Sequence, residues 1–136
     1  MLKCYFDGAC EPNCDLGKMG CGGVIYHHDE KIHSFSRPYE RSDNQASNNI
    51  AEYCAFGYVL KYLIDHDLTG KEIYIFGDSK LVIEQMQGNW AMNKGKYIPY
   101  AKRCLQLLET FKVWPYLEWI PKESNAEADA LSRRHV

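Results

Sequence analysis

Four carboxylates stand where a side chain can be held rigidly and still face a cleft. Asp7 ends the short alternating run of Leu2, Cys4 and Phe6 and is followed by Gly8. Asp78 follows the apolar run "EIYIF" and precedes Ser79. Glu52 lies in the first turns of one helical stretch, and Asp129 in the first turns of another. In an open sheet with crossover helices, strand ends and helix starts meet at one edge, where sites form. Four carboxylates gathered there would repel one another unless cations sat between them. Hard divalent cations take oxygen ligands, and Mg²⁺ is held by few carboxylates while keeping waters. Two such ions about 4 Å apart clamp the attacking and leaving oxygens of a phosphodiester displacement.

Each acid also has an ordinary structural reading. Asp78 before a helix can be an N-cap. Glu52 can be a solvated helix-face residue, Asp7-Gly8 a turn, and Asp129 a surface residue. Taken singly the signals are weak. Their joint placement at element ends favours the metal-holding reading.

The elements that must position them follow from periodicity. Residues 2 to 7 form a strand that ends in Asp7-Gly8, and residues 10 to 20, rich in Gly, Pro, Asn and Asp, form a loop. "CGGVIYHH" restarts a strand at about Gly22, and "IHSFSRPY" returns as a third after the polar turn Asp29-Glu30-Lys31. The period then changes. Ala51, Cys54, Ala55, Tyr58 and Tyr62 fall on one helical face, with Ser47 or Asn48 as N-cap. "EIYIF" is a fourth strand, apolar enough to be central and covered on both faces. Helices follow from about Ser79 to Gln87 and over residues 97 to 112, the latter with Ala101, Cys104, Leu105 and Leu108 inward. "YLEWI" is the fifth strand, and residues 125 to 134 form a last helix. The fold class expected is α/β, a five-stranded mixed sheet with helices on both faces, in which an antiparallel three-strand meander joins two parallel strands.

Composition sets bounds. At 136 residues the chain fits one domain, and 46% hydrophobic with 25% charged residues is an ordinary globular balance. A formal net charge of -2 does not announce a strongly basic nucleic-acid binder, but carboxylates gathered around metal ions would leave the remaining surface more basic than the total suggests. Lys3 and Asp7 interrupt any signal peptide, and no apolar run approaches the roughly 20 residues of a membrane span. The expectation is a cytoplasmic protein with six reduced cysteines. Cys10, Cys14 and Cys21 are open to a zinc reading, although no C-x-x-C pair occurs; buried or loop thiols are favoured.

The motifs resemble the type 1 class of ribonuclease H across essentially the whole chain. The matching stretches are "YFDGAC" (5–10), "GGVI" (22–25), "SNNIAEYCA" (47–55), "FGDSKLVI" (76–83) and "WIPKESNAEADALS" (119–132). In this order they are highly specific. The resemblance implies a single ribonuclease H domain over 1–136. It implies endonucleolytic cleavage of the RNA strand of RNA–DNA hybrids with two Mg²⁺ (or Mn²⁺) ions, leaving 5′-phosphate and 3′-hydroxyl ends. It implies Asp7, Glu52, Asp78 and Asp129 as catalytic, metal-binding acids, with Asp7 bridging the ions, Glu52 and Asp78 on the leaving-group side and Asp129 on the water side. Backbone near Gly8, with Asn13 and Asn48, is similar to the family's minor-groove readers, which sense 2′-hydroxyls, and Asn49 is similar to a second reader of the adjacent strand. Ser47 and Asn48 resemble a phosphate pocket for the DNA strand, and Asn125 matches a position that contacts backbone or orients the last acid. The implied partner is the hybrid alone, with no membrane, no obligate protein partner and a monomeric state.

The chain also departs from the family. Many members carry a histidine before the last acid; here the loop is "PKESN" (121–125), with Lys122 or Glu123 as partial substitutes. Lys80 joins the expected substrate-binding set at a position where relatives have a polar base-edge reader. The stretch "NWAMNKGKYIPYAKR" reads equally as a modest phosphate-contacting surface or as a solvated helix face with a core tryptophan. His27, His28, His33, His66 and His135 fall outside the motifs and read as strand, turn or surface residues. Two other functions compete. One is a non-catalytic hybrid or double-stranded RNA binder, which would not need clustered acids. The other is a nuclease of the wider superfamily acting on another nucleic acid.

Overall fold

A computed structural model describes residues 1–10, 18–40 and 47–136, the side chain of residue 40 excepted. The strands are β1 (Leu2–Ala9), β2 (Lys18–His27), β3 (Glu30–Glu40), β4 (Ile73–Gly77) and β5 (Tyr116–Trp119). The helices are α1 (Asn48–Asp65), α2 (Lys80–Met86), α3 (Ile98–Glu109) and α4 (Ala126–Ser132), the last preceded by a 3-10 turn, Lys122–Asn125. The sheet order is β3-β2-β1-β4-β5. β1–β2 and β2–β3 are antiparallel, and β1–β4 and β4–β5 are parallel. This is the mixed sheet expected, with the first strand at its centre.

Register explains the core. Cys4 lies opposite Ile25 on one side and Ile75 on the other, and Ile75 lies opposite Leu117. These four are buried and form one apolar row across the sheet. α1 covers this face; the Phe6 and Phe56 rings meet at 5.2 Å. α3 is tied behind α1 by a Cys104 thiol that donates to the Tyr53 carbonyl at 3.5 Å. Ala101, Cys104 and Leu108 are the buried residues of α3, while Leu105 is only partly buried.

α1 differs from the face expected for it. Its buried residues are Ile50, Ala51, Tyr53, Ala55, Phe56, Val59, Leu60 and Leu63. Cys54, Tyr58 and Tyr62 are half-buried and border the stripe. The helix is apolar around most of its circumference, so a face picked by spacing alone is ambiguous. β2 begins at Lys18, inside the expected loop, because Gly20 and Gly22 serve packing rather than turning. They share one face, and α4 lies directly on it. A Cβ at Gly22 would sit 2.4 Å from the Ser132 nitrogen, so only glycine admits the helix.

α4 covers this second face only over β1, β2 and β3; Ser36 donates through Oγ to the Leu131 carbonyl at 2.6 Å. β4 is central but is not covered on both faces. Tyr74 and Phe76 point to the open face and are half-buried in an aromatic row, with Tyr5–Phe76 centroids at 5.1 Å and Tyr74–Tyr116 at 4.8 Å. The rings cover one another where no helix does. Among the described residues no helix is long and apolar enough to cross a membrane.

Candidate active site

The parallel pairing of β1 with β4 ends at Phe6 opposite Gly77. The next residues along the chain, Asp7 and Asp78, therefore stand side by side just past the last pair. β1 itself runs on to Ala9, so Asp7 does not close the strand but lies opposite Gly22 of β2. α1 starts at the same edge and brings Glu52 over Asp7. The approach is close: a Cβ on Gly8 would lie 2.2 Å from the Ala51 carbonyl carbon and 2.3 Å from the Glu52 nitrogen. Glycine at position 8 is thus a condition of the Asp7–Glu52 juxtaposition. α2 is capped by Ser79, whose Oγ accepts from the Val82 amide at 3.3 Å. Asp78 is consequently not the cap. Its backbone carbonyl accepts from the Trp119 indole at 3.1 Å, which fixes the turn from which its side chain extends.

One carboxylate oxygen each from Asp7, Glu52 and Asp78 lies within 4.8 Å of the others. Asp7 is 3% exposed. Burial, followed by a hydrogen bond with Asp129 and the charges of Asp78 and Asp129, lifts its proton affinity to a pKa of about 7. Burial raises Glu52 well above the carboxylate range, with the Asp7 charge adding to it. Asp129 behaves differently. Burial works against its ionised form, but hydrogen bonds with Asp7 and Arg133 and the charges of Lys122 and Arg133 hold its pKa below the ordinary value.

These residues suit a hard divalent cation. The donors are all oxygens, and the Glu52 Oε2 atom is buried with no hydrogen-bond partner. An orphaned buried carboxylate oxygen is strongly unfavourable unless a cation meets it. A cleft of about 490 Å³ opens over the three acids and is also lined by Gly8, Asn48, Trp119, Lys122 and Arg133.

Residues 5–135 match the family described as reverse transcriptase-like. The crystal structure of the ribonuclease H1 of Halobacterium salinarum superposes with a TM-score of 0.82 at 30% identity, over 96% of this chain and 93% of that one. The chain belongs to the type 1 ribonuclease H family of enzymes. The curated ribonuclease HI of the same organism is 33% identical over 96% of this chain and 62% of its own length. The putative hydrolase EbsB of Enterococcus faecalis is 31% identical over 98% of this chain and 93% of its own length. The LC11 ribonuclease H1, solved in complex with an RNA/DNA hybrid, shares the fold at a TM-score of 0.87 and 24% identity, over 100% of this chain and 96% of that one. Several curated relatives are longer chains, of which this one spans between 30% and 62%.

Within this ribonuclease H fold the expected residues separate. Asp7, Glu52 and Asp78 come together, and Asp129 joins them through Asp7 while turning Oδ1 to Arg133 at 3.0 Å and Lys122 at 3.7 Å. Gly8 and Asn48 line the cleft. Asn49 is exposed on the first turn of α1 but does not line the cleft. Ser47 is the N-cap of α1, its Oγ accepting from the Ile50 amide at 3.1 Å, so part of its hydrogen-bonding capacity is spent on the helix. Asn13 lies outside the described residues, as does Cys14 of the zinc reading; Cys10 and Cys21 are buried among apolar side chains. Asn125 is 1% exposed and donates through Nδ2 to the Phe6 carbonyl at 2.9 Å. This bond braces Phe6, the last β1 residue paired to β4, directly before Asp7, and leaves the buried Asn125 Oδ1 without a partner. Lys80 places Nζ 4.8 Å over the Trp119 ring.

Two residues of the cleft escaped the sequence. Trp119 read only as strand, although its register partner Gly77 directly precedes Asp78. Arg133 carried a usable signal in its i+4 spacing from Asp129.

Proposed function

We propose that this protein is an endonuclease that hydrolyses the RNA strand of RNA–DNA hybrids, using two Mg²⁺ or Mn²⁺ ions and leaving 5′-phosphate and 3′-hydroxyl ends. The observation that carries this reading is the meeting of Asp7, Glu52 and Asp78 oxygens within 4.8 Å at one sheet edge, around a buried carboxylate oxygen that lacks a partner. When bound, the divalent ions would supply Lewis-acid activation of water and charge neutralisation at the phosphate. Asp7 would be shared between them, Glu52 and Asp78 would hold one, and Asp129 the other.

The remaining chemistry falls to this chain's own residues. Asn48, which lines the cleft at the start of α1, would meet a 2′-hydroxyl or an adjacent phosphate. Gly8 lines the same cleft, and its lack of a side chain lets α1 carry Asn48 and Glu52 close to β1. Trp119 holds the Asp78 turn through its indole hydrogen bond. We further propose that the 136 residues act as one monomeric domain in the cytoplasm, with the hybrid as sole partner.

The test is a labelled RNA–DNA hybrid incubated with the protein and Mg²⁺ or Mn²⁺, beside single-stranded RNA, duplex RNA and duplex DNA. RNA-strand incision confined to the hybrid and lost in Asp78→Asn is expected. No incision, or incision unchanged in Asp78→Asn, would sink the proposal. Equal cutting of duplex DNA would favour the broader nuclease reading.

A further inference from the structure

Asp129 is the only one of the four acids to which an ion pair with a basic side chain is recorded among the described residues. Its Oδ1 receives Arg133 Nε at 3.0 Å and faces Lys122 Nζ at 3.7 Å. The two cations come from different elements. Lys122 opens the 3-10 turn after β5, and Arg133 directly follows α4. Both also line the cleft above Asp7, Glu52 and Asp78. The Lys122 side chain is 60% exposed, so its ammonium can swing without disturbing the core.

This arrangement has a consequence for cations. The Asp7–Glu52–Asp78 group offers a buried oxygen with no partner. Among the described residues, a divalent ion entering there displaces no ion pair. At Asp129 an incoming ion meets an oxygen that two positive groups already neutralise.

We propose that Lys122 and Arg133 are built-in counterions of Asp129. They neutralise it before metal arrives, compete with the ion that would use it, and transfer to the substrate phosphate once that ion displaces them. The inference rests on the reading of the four acids as metal ligands. It predicts ordered filling, with the Asp7–Glu52–Asp78 site first and the Asp129 site second. It also gives the loop without histidine a role of its own, since Lys122 stands in "PKESN".

The test needs no catalysis. Mn²⁺ is titrated into the protein without nucleic acid and followed by calorimetry and by the paramagnetic signal of free Mn²⁺. Lys122→Gln and Arg133→Gln should each tighten the weaker Mn²⁺ site about two- to fivefold, as loss of one partly exposed competing charge allows. The double variant should tighten it on the order of tenfold, and Lys122→Arg should leave it as in the parent. The tighter site should not move. In the Asp78→Asn background, hybrid binding by Lys122→Gln should weaken and lose about one unit of its log-log salt slope.

An unchanged or weakened second site in Lys122→Gln and in the double variant would overturn the proposal, as would a second site that survives Asp129→Asn. Lys122 is exposed, so thermal melts of Lys122→Gln should match the parent and exclude misfolding. Absence of hybrid cleavage would defeat the functional reading but leave the Mn²⁺ result interpretable, which separates the two failures.

Discussion

Replacing Asp7 by asparagine should make the metal-free protein more stable at neutral pH while removing its activity. The reason lies in the cost of the buried charge. Asp7 is raised from an ordinary 3.8 to about 7, chiefly by burial. The folded protein therefore holds this proton more tightly than the unfolded chain. The stabilisation linked to it is complete below pH 3.8 and is lost as pH rises through about 7. Each tenfold change in proton affinity corresponds to about 1.4 kcal/mol, so the roughly thousandfold rise at Asp7 sets an upper value of about 4 kcal/mol. Asparagine is nearly isosteric and keeps an oxygen for the Gly8 amide, which donates to Asp7 Oδ1 at 3.0 Å. Urea unfolding in the presence of a chelator at pH 4, 6 and 8 measures the difference. Near pH 4 the two proteins should be about equal. At pH 8 the variant should be more stable by about 2–4 kcal/mol. Saturating Mg²⁺ should narrow the gap by stabilising only the parent, by about 2.7 kcal/mol at a hundredfold excess over its Kd. A variant that is less stable than the parent at pH 8, or whose advantage is the same at pH 4, would refute the charge-burial reasoning.

Other variants probe the frame around the acids. Gly8→Ala forces a methyl into the α1 backbone and should cost about 2–3 kcal/mol with loss of activity, read by unfolding and by hybrid cleavage. Asn125→Ala strips the Phe6 carbonyl of its buried donor and should cost about 1–3 kcal/mol, with hybrid affinity of the folded protein little changed. Trp119→Phe removes the hydrogen bond to the Asp78 carbonyl; kcat should fall about tenfold, with stability lowered by about 1 kcal/mol. Equal kcat in Trp119→Phe would remove the indole from the positioning of Asp78.

Much of this could be read from the chain because its signals agree at several levels. The alternation of Leu2, Cys4 and Phe6 is a one-face-buried strand, and those three residues are fully buried. "FGDSKLVI" carries both the end of β4 and the capping serine of α2, so Asp78 could be placed within a residue. The failures have a common origin in packing between distant segments. Gly20 looks like loop until α4, about a hundred residues on, is set against it. Cys54, Tyr58 and Tyr62 obey helical spacing, but so do the fully buried Phe56, Val59 and Leu63, and only the position of the sheet chooses between the two stripes. Asn125, one turn before Asp129, is expected from the resemblance to contact backbone or orient that acid; its bond to the Phe6 carbonyl joins distant segments and leaves no local trace. Of the two cations at Asp129, Arg133 was legible in its i+4 spacing, whereas Lys122 reaches Asp129 from the turn before α4 and follows no spacing rule.

The central place of β1 also bears on how the molecule is made. As this domain is synthesised, β1 can pair with β2 as soon as that strand emerges. Its other edge must wait for residues 73–77, and α4 cannot seat until residues 126–132 have emerged. For most of synthesis a nearly bare apolar strand edge is on offer to other nascent chains. The acids share this order, Asp7 being made first of the four and Asp129 last. Until residue 78 is made, the Asp7–Glu52–Asp78 cluster cannot assemble. Refolding from denaturant should be limited by closure of the parallel β1–β4 pair rather than by the helices, because long loops are slow to close.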